Sequence, residues 1–272
     1  MCKNRSIGGY TLVAWVEHQP QEAVVVATSL LARYDEPWDF SDDCFTHPIY
    51  STGRGPSVLV LHELPGMTEQ CLDLGLILAE KIPARVHLPL LFGSPGPTML
   101  GKAANVLSIC VNREINLFAA NKTSPLVSWC RALCRQLRRQ SGTRGVGVVG
   151  MCLTGGFALA LVTDCSVLAP VVAQPSLPLF VHKAALGLSP EDTLAVQSRA
   201  SKLGANCVLG LRYQNDRISP KERFNAIRKL IGPALKYIEL PGNKHSTLTE
   251  HRDNFALDST VEFLREKLLA AS

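Results

Sequence analysis

A chain of 272 residues is long enough for one large α/β domain or two small ones. Apolar residues make up 46% of it and charged residues 19%, which excludes a highly charged disordered chain and points to a globular protein with a sizeable core. The net charge of +5 is mild, and much of it falls on Arg131, Arg135, Arg138, Arg139 and Arg144. These sit beside Val127, Cys130, Cys134 and Leu137, whose spacings of three and four mark an amphipathic helix with the arginines on its wet side. No recognition motif accompanies that charge, so no nucleic-acid partner is expected.

Nine cysteines, an odd number set mostly inside apolar runs such as 205–209, do not read as a disulfide framework. Residues 1–5 lead into no uninterrupted apolar leader, and no segment reaches the roughly 20 apolar residues that span a bilayer. A reducing cytoplasmic location without a membrane partner is the expectation.

In chain order, 10–16 and 22–28 are short β-like runs, and 33–48 is polar, aromatic and aperiodic, which predicts irregular structure. The apolar run 57–61, bounded by Gly55-Pro56 and Pro65-Gly66, predicts a buried parallel strand. A helical pattern follows through Leu72, Leu76 and Ala79 to Pro83. Strands are then predicted at 84–88, 145–149, 166–173, 205–211 and 235–240. Helices are predicted between them at 127–139, 156–162, 192–203 and 220–231, and a last one carries Leu257, Val261, Leu264 and Leu268 on one face. This alternation predicts an α/β fold, a doubly wound, mostly parallel sheet with helices on both faces. No internal repeat competes with it. Residues 1–50 are expected to form an N-terminal extension packed on the sheet, and residues 51–272 the α/β domain.

The chemistry concentrates at strand ends. Strand 145–149 runs into Gly150-Met151-Cys152-Leu153-Thr154-Gly155-Gly156 and then an Ala/Leu helix. A strand, a tight glycine-flanked turn and a helix make a nucleophile elbow, with Cys152 lifted out of the sheet. The helix N-terminus favours a thiolate and offers the Leu153 N–H to a developing oxyanion. The usual elbow has glycine two residues after the nucleophile, and Thr154 stands there instead. A buried structural cysteine at a strand–helix crossing is the plainer alternative.

A thiol nucleophile needs a base. Asp216 lies in Gln214-Asn215-Asp216-Arg217 after strand 205–211, and His245 in Gly242-Asn243-Lys244-His245 after the last strand. Taken singly, Asp216 reads as a turn or cap residue and His245 as a surface residue. Together with Cys152 they follow the order nucleophile, acid, histidine at three strand ends on one side of the sheet. The loop after strand 57–61 reads His62-Glu63-Leu64-Pro65-Gly66, where a carboxylate is an unusual neighbour for an oxyanion.

On His-Glu-Leu-Pro-Gly at 62–66, Arg113-Glu114, Gly-Met-Cys-Leu-Thr-Gly-Gly at 150–156, Asn-Asp-Arg at 215–217 and Lys-His-Ser at 244–246, the chain resembles the dienelactone hydrolase family of α/β-hydrolases over about residues 50–268. The resemblance implies Cys152 as nucleophile, Asp216 and His245 as its partners, and Glu63 as the carboxylate that takes the thiol proton when substrate binds. It also implies Leu64 and Leu153 N–H groups as the oxyanion hole, and Arg113 as holder of Glu63 or of a substrate carboxylate. The implied reaction is hydrolysis of a small activated ester or lactone by a monomer or small homo-oligomer, with no cofactor and no metal. Dienelactone-cleaving members place a carboxylate-binding arginine four residues after the histidine, where this chain has Thr249; Arg252 is out of register. The alternatives are a catalytically silent small-molecule binding protein on the same fold, and a redox or metal protein built on Cys130 and Cys134, which lack a Cys-x-x-Cys or histidine cluster.

Overall fold

Short apolar runs such as Ser57–Leu61 and Val146–Met151 form the central strands, and helices start and stop on conventional signals. The structure, a computed structural model, describes residues 29–43, 45–64, 66–93, 95, 124–177 and 182–269. The strands are β1 (Trp38–Ser41), β2 (Thr46–Gly53), β3 (Ser57–Leu61), β4 (Arg85–Pro89), β5 (Val146–Met151), β6 (Val167–Ala173), β7 (Val208–Tyr213) and β8 (Leu235–Leu240). The helices are α1 (Glu69–Lys81), α2 (Pro125–Ser141), α3 (Leu153–Leu161), α4 (Pro190–Leu203), α5 (Lys221–Ile231) and α6 (Asn254–Leu269). In α2, the Ser124 side chain accepts from Leu126 N–H, Pro125 opens the first turn, and Gly142 ends the helix at φ 64.

The strands form one eight-stranded sheet in the order β1-β2-β4-β3-β5-β6-β7-β8, with β2 antiparallel to both its neighbours and the rest parallel. Every residue of β3, β5 and β7 is buried, as expected of strands covered on both faces. One core layer joins the sheet to α2, α3, α4 and α5 through residues such as Trp129, Phe157, Val196 and Phe224. The opposite layer joins it to α1 and α6 through Leu72, Leu78, Leu257 and Leu264. The doubly wound architecture expected from the alternation is the one observed.

The predicted strands and helices from residue 57 onward recur within a few residues. The stretch 33–48 differs: it holds β1 and the start of β2 rather than irregular chain. Here β1 is the edge strand and β2 lies between it and β4; β1 is only four residues long with Phe40 alone buried, and β2 buries Ser51 and Thr52 beside Ile49, so the apolar period-two signal is short. Because β2 runs through residues 46–53, the sheet begins well before residue 51. The β-like runs at 10–16 and 22–28 lie outside the described residues.

The basic face of α2 is tied down: Arg131 pairs with Asp192 at 2.7 Å and Arg135 with Asp164 at 2.7 Å. Cys130 and Cys134 are fully buried in the core, and burial pushes both thiols up. Among the described residues no helix is long and apolar enough to cross a membrane.

Strand register places the site. Leu61 pairs with Gly150, Met151 with Ala173, Ala173 with Leu211, and Tyr213 with Leu240. The carboxyl ends of β3, β5, β6, β7 and β8 therefore form one edge, and the loops leaving them bring their side chains together there.

Candidate active site

Cys152 stands between β5 and α3 at φ 55, ψ −120, a left-handed backbone rare for a residue with a Cβ. The turn is possible because its neighbours are small. A Cβ on Gly150 would meet Thr154 O at 2.2 Å and the Ala158 Cβ at 2.8 Å, and one on Gly155 would meet Ala173 O at 2.9 Å. Thr154, the apparent exception in the motif, has a use of its own. Its hydroxyl donates to Leu61 O at 2.8 Å and accepts from Met151 N–H at 2.9 Å, stapling the end of β5 to the end of β3. Glycine could not do this. Cys152 caps α3 without a side-chain hydrogen bond, and Leu153 is the first residue of the helix, a position whose N–H has no partner within the helix.

Asp216 is buried, and its Oδ1 accepts from Ile218 N–H at 2.8 Å and Ser219 N–H at 3.1 Å. These bonds aim Oδ2 at His245 Nδ1, 2.7 Å away. His245 Nε2 is buried and, among the described residues, has no hydrogen-bond partner within bonding distance. One ligand atom from each of Glu63, Cys152 and His245 lies within 4.8 Å of the other two. Burial works against a charge on His245, but the Asp216 hydrogen bond and then the Cys152 sulfur outweigh it, and its pKa is pushed up to about 10. Cys152, Asp216 and His245, expected from their order in the chain, are thus brought together.

Glu63 joins them, but not as an open carboxylate. Thr249 Oγ1 donates to its Oε1, and Ser246 Oγ donates to Oε2 at 3.0 Å with Gln174 Nε2 at 3.4 Å. Burial raises its pKa, and those donors together with His245 pull it back only in part. Thr249 therefore spends its side chain on Glu63. Arg252 faces away, donating to Asp73 at 2.7 Å and to Leu248 O at 3.0 Å. Leu64 follows Glu63 in a turn closed by Gly66 N–H donating to Glu63 O at 2.8 Å. Arg113 lies outside the described residues.

Several residues here were not singled out from the sequence. His62 is fully buried; its Nε2 accepts from Leu91 N–H at 3.1 Å, its ring edge meets Phe92, and burial lowers its pKa to about 4. It is a neutral brace for the Glu63 loop. Gln174 links Glu63 to Thr247, whose hydroxyl donates to Gln174 Oε1 at 2.6 Å. Ser176 Oγ is 2.8 Å from Cys152 Sγ. Arg223 is buried and donates to Ala185 O at 2.9 Å and Pro175 O at 3.2 Å. Burial lowers its pKa, with Cys152 and Asp216 acting the other way. These contacts depend on which loops meet in space, and no spacing in the sequence signals that.

Glu63, Cys152 and His245 are also a donor set that could hold a divalent ion through one carboxylate, one thiolate and one imidazole, with Asp216 behind the histidine. Chemically, the arrangement offers a thiol at a helix N-terminus and a histidine oriented by a buried carboxylate, components that nucleophilic catalysis uses.

No protein-family model and no curated protein sequence matches the chain. Solved structures do. A cold-adapted esterase from an Arctic intertidal metagenomic library is 14% identical with a TM-score of 0.58, over 85% of this chain and 93% of that one. A Klebsiella pneumoniae protein assigned to the dienelactone hydrolases is 16% identical with a TM-score of 0.56, over 83% and 95%. The thioesterase domain from the curacin biosynthetic pathway is 11% identical with a TM-score of 0.53, over 87% and 99%. At these identities the likeness is one of fold, and this chain has the α/β-hydrolase fold.

Proposed function

We propose that the protein is a carboxylic ester or lactone hydrolase, dienelactone hydrolase-like, that works through a Cys152–His245–Asp216 triad and a thioester intermediate. The observation that carries this reading is the elbow itself: Cys152 is held at φ 55 on the N-terminus of α3, with His245 beside it and Asp216 Oδ2 2.7 Å from His245 Nδ1. A left-handed, buried cysteine with an oriented histidine is more than a packing residue requires. The esterase, the thioesterase domain and the assigned dienelactone hydrolase among the structural neighbours support the same class.

In this mechanism the thiol proton passes to Glu63, made more basic by its burial, while His245, with its pKa pushed up to about 10, stands beside the sulfur as the imidazolium; both lie within 4.8 Å of it. The thiolate attacks the carbonyl carbon, and the oxyanion is held by the N–H groups of Leu153 and Leu64. Collapse expels the alkoxide, which takes a proton from the His245 imidazolium. Neutral His245 then directs water onto the thioester, releasing the acid and restoring the thiol. Thr249 replaces the arginine that would read a substrate carboxylate and is committed to Glu63, so uncharged substrates are favoured.

The test is a panel of activated esters and lactones, neutral and carboxylated, on wild type and Cys152→Ala. Turnover is expected in wild type, faster for a neutral lactone than for its carboxylated analogue, with a loss of at least about 10³-fold in the variant. Equal rates in the two proteins would sink the reading.

A further inference from the structure

Ser176 Oγ lies 2.8 Å from Cys152 Sγ, and both residues are buried. Their backbones are tied as well: Ser176 N–H donates to Cys152 O at 2.9 Å, and Cys152 N–H donates to Ala173 O at 3.1 Å. The chain leaving β6 thus grips the elbow from the neighbouring strand end. Between these anchors Gln174 sits at φ 33, a second left-handed non-glycine beside the first. Such a backbone persists where its surroundings over-determine it. Here Gln174 N–H donates to Leu211 O at 2.7 Å, Oε1 accepts from Thr247 Oγ1 at 2.6 Å, and Nε2 reaches Glu63.

The next residue is fastened equally firmly. Pro175 O takes a hydrogen bond from Ser219 Oγ at 2.8 Å and another from Arg223 Nη1 at 3.2 Å. Ser219 N–H also donates to Asp216 Oδ1 at 3.1 Å, so the 174–176 turn and the acid's loop are one hydrogen-bonded unit. Ser176 is therefore held against the sulfur by a hydrogen-bonded frame on both sides.

A serine hydroxyl beside a neutral thiol can donate or accept, but beside a thiolate it can only donate. The charged groups around the sulfur are His245 and Glu63, with Asp216 behind the histidine and Arg223 beneath Pro175. Ser176 is a donor in this ring that does not compete for the thiol's proton. We propose that Ser176 is a positioning residue for the nucleophile, donating to the Cys152 thiolate and fixing its direction from a backbone clamp built on Gln174, Pro175, Ser219 and Arg223. The inference rests on Cys152 being the nucleophile, and the experiment separates the two claims.

The experiment is iodoacetamide alkylation of Cys152 as a function of pH, read by peptide mass in wild type, Ser176→Ala, Ser176→Thr and Ser219→Ala, with exposed Cys165 as the internal standard. Loss of a charge-assisted hydrogen bond should move the midpoint of the Ser176→Ala profile upward by about one pH unit, with the thermal unfolding midpoint unchanged. Its kcat should fall about tenfold while KM changes less than about twofold. Ser176→Thr should recover most of both effects, and Ser219→Ala should move the profile the same way by less. A wild-type profile in Ser176→Ala overturns the inference and leaves the nucleophile reading standing. Ester turnover by Cys152→Ala at the wild-type rate overturns both.

Discussion

Glu63 takes hydroxyl hydrogen bonds from Thr249 and Ser246 and an amide bond from Gln174, yet its carboxyl remains above its ordinary value near 4.5 because burial dominates. The consequence for stability has a definite sign. A carboxyl whose pKa is raised on folding keeps its proton in the folded state after the unfolded chain has released it. Folding is then favoured at low pH and loses stability as pH rises above about 4.5, until the folded group titrates too. Glu63→Gln removes that component. Denaturant titrations from acid to neutral pH should show the wild-type-minus-variant difference falling as pH rises, whereas a flat or rising difference would mean that burial is not what governs this carboxyl. The residue scale is also where the sequence was least legible. The order Cys152, Asp216, His245 could be read along the chain because each follows a strand. The contacts of Thr154, Ser176, Gln174 and Arg223 could not, because each joins loops from different strands and none forms a spaced motif.

At the scale of the element, the β5–Cys152–α3 unit depends on how closely its parts approach. Gly150 lies where a Cβ would collide with the carbonyl of Thr154 and the methyl of Ala158, and α3 is buried over its whole length. Neither contact is the flexible end of a long side chain, so the backbone would have to move. Gly150→Ala should destabilise the protein by about 1–3 kcal/mol and remove most of the activity by turning Cys152 off its line to His245. Chemical denaturation with kinetics on the folded fraction checks both, and a variant of wild-type stability and activity would show the elbow to be looser than this. The strand and helix of this unit were legible because an apolar run and an Ala/Leu run flank a glycine cluster. The edge strand β1 and its neighbour β2 were not, since short strands that bury few apolar residues carry little period-two signal.

Across the whole molecule, five strand ends on one edge of the sheet bring together residues as far apart in sequence as Glu63 and Thr249. This is the general behaviour of open α/β sheets, whose ligands sit at the carboxyl ends of the strands. It also explains why the alternation of strands and helices was enough to place the candidate site. The substrate is written in loop shape and pocket chemistry, which no spacing encodes. The central claim is that Cys152 forms a thioester on the way to product. It is tested most directly by mixing an activated ester with the His245→Ala protein, in which water attack should be slowed more than acylation. Intact and peptide mass spectrometry should then find a mass gain equal to the acyl group on the peptide containing Cys152, absent from a Cys152→Ala, His245→Ala double variant. An acyl group found on another residue, or turnover of the ester by Cys152→Ala at the wild-type rate, would contradict the account.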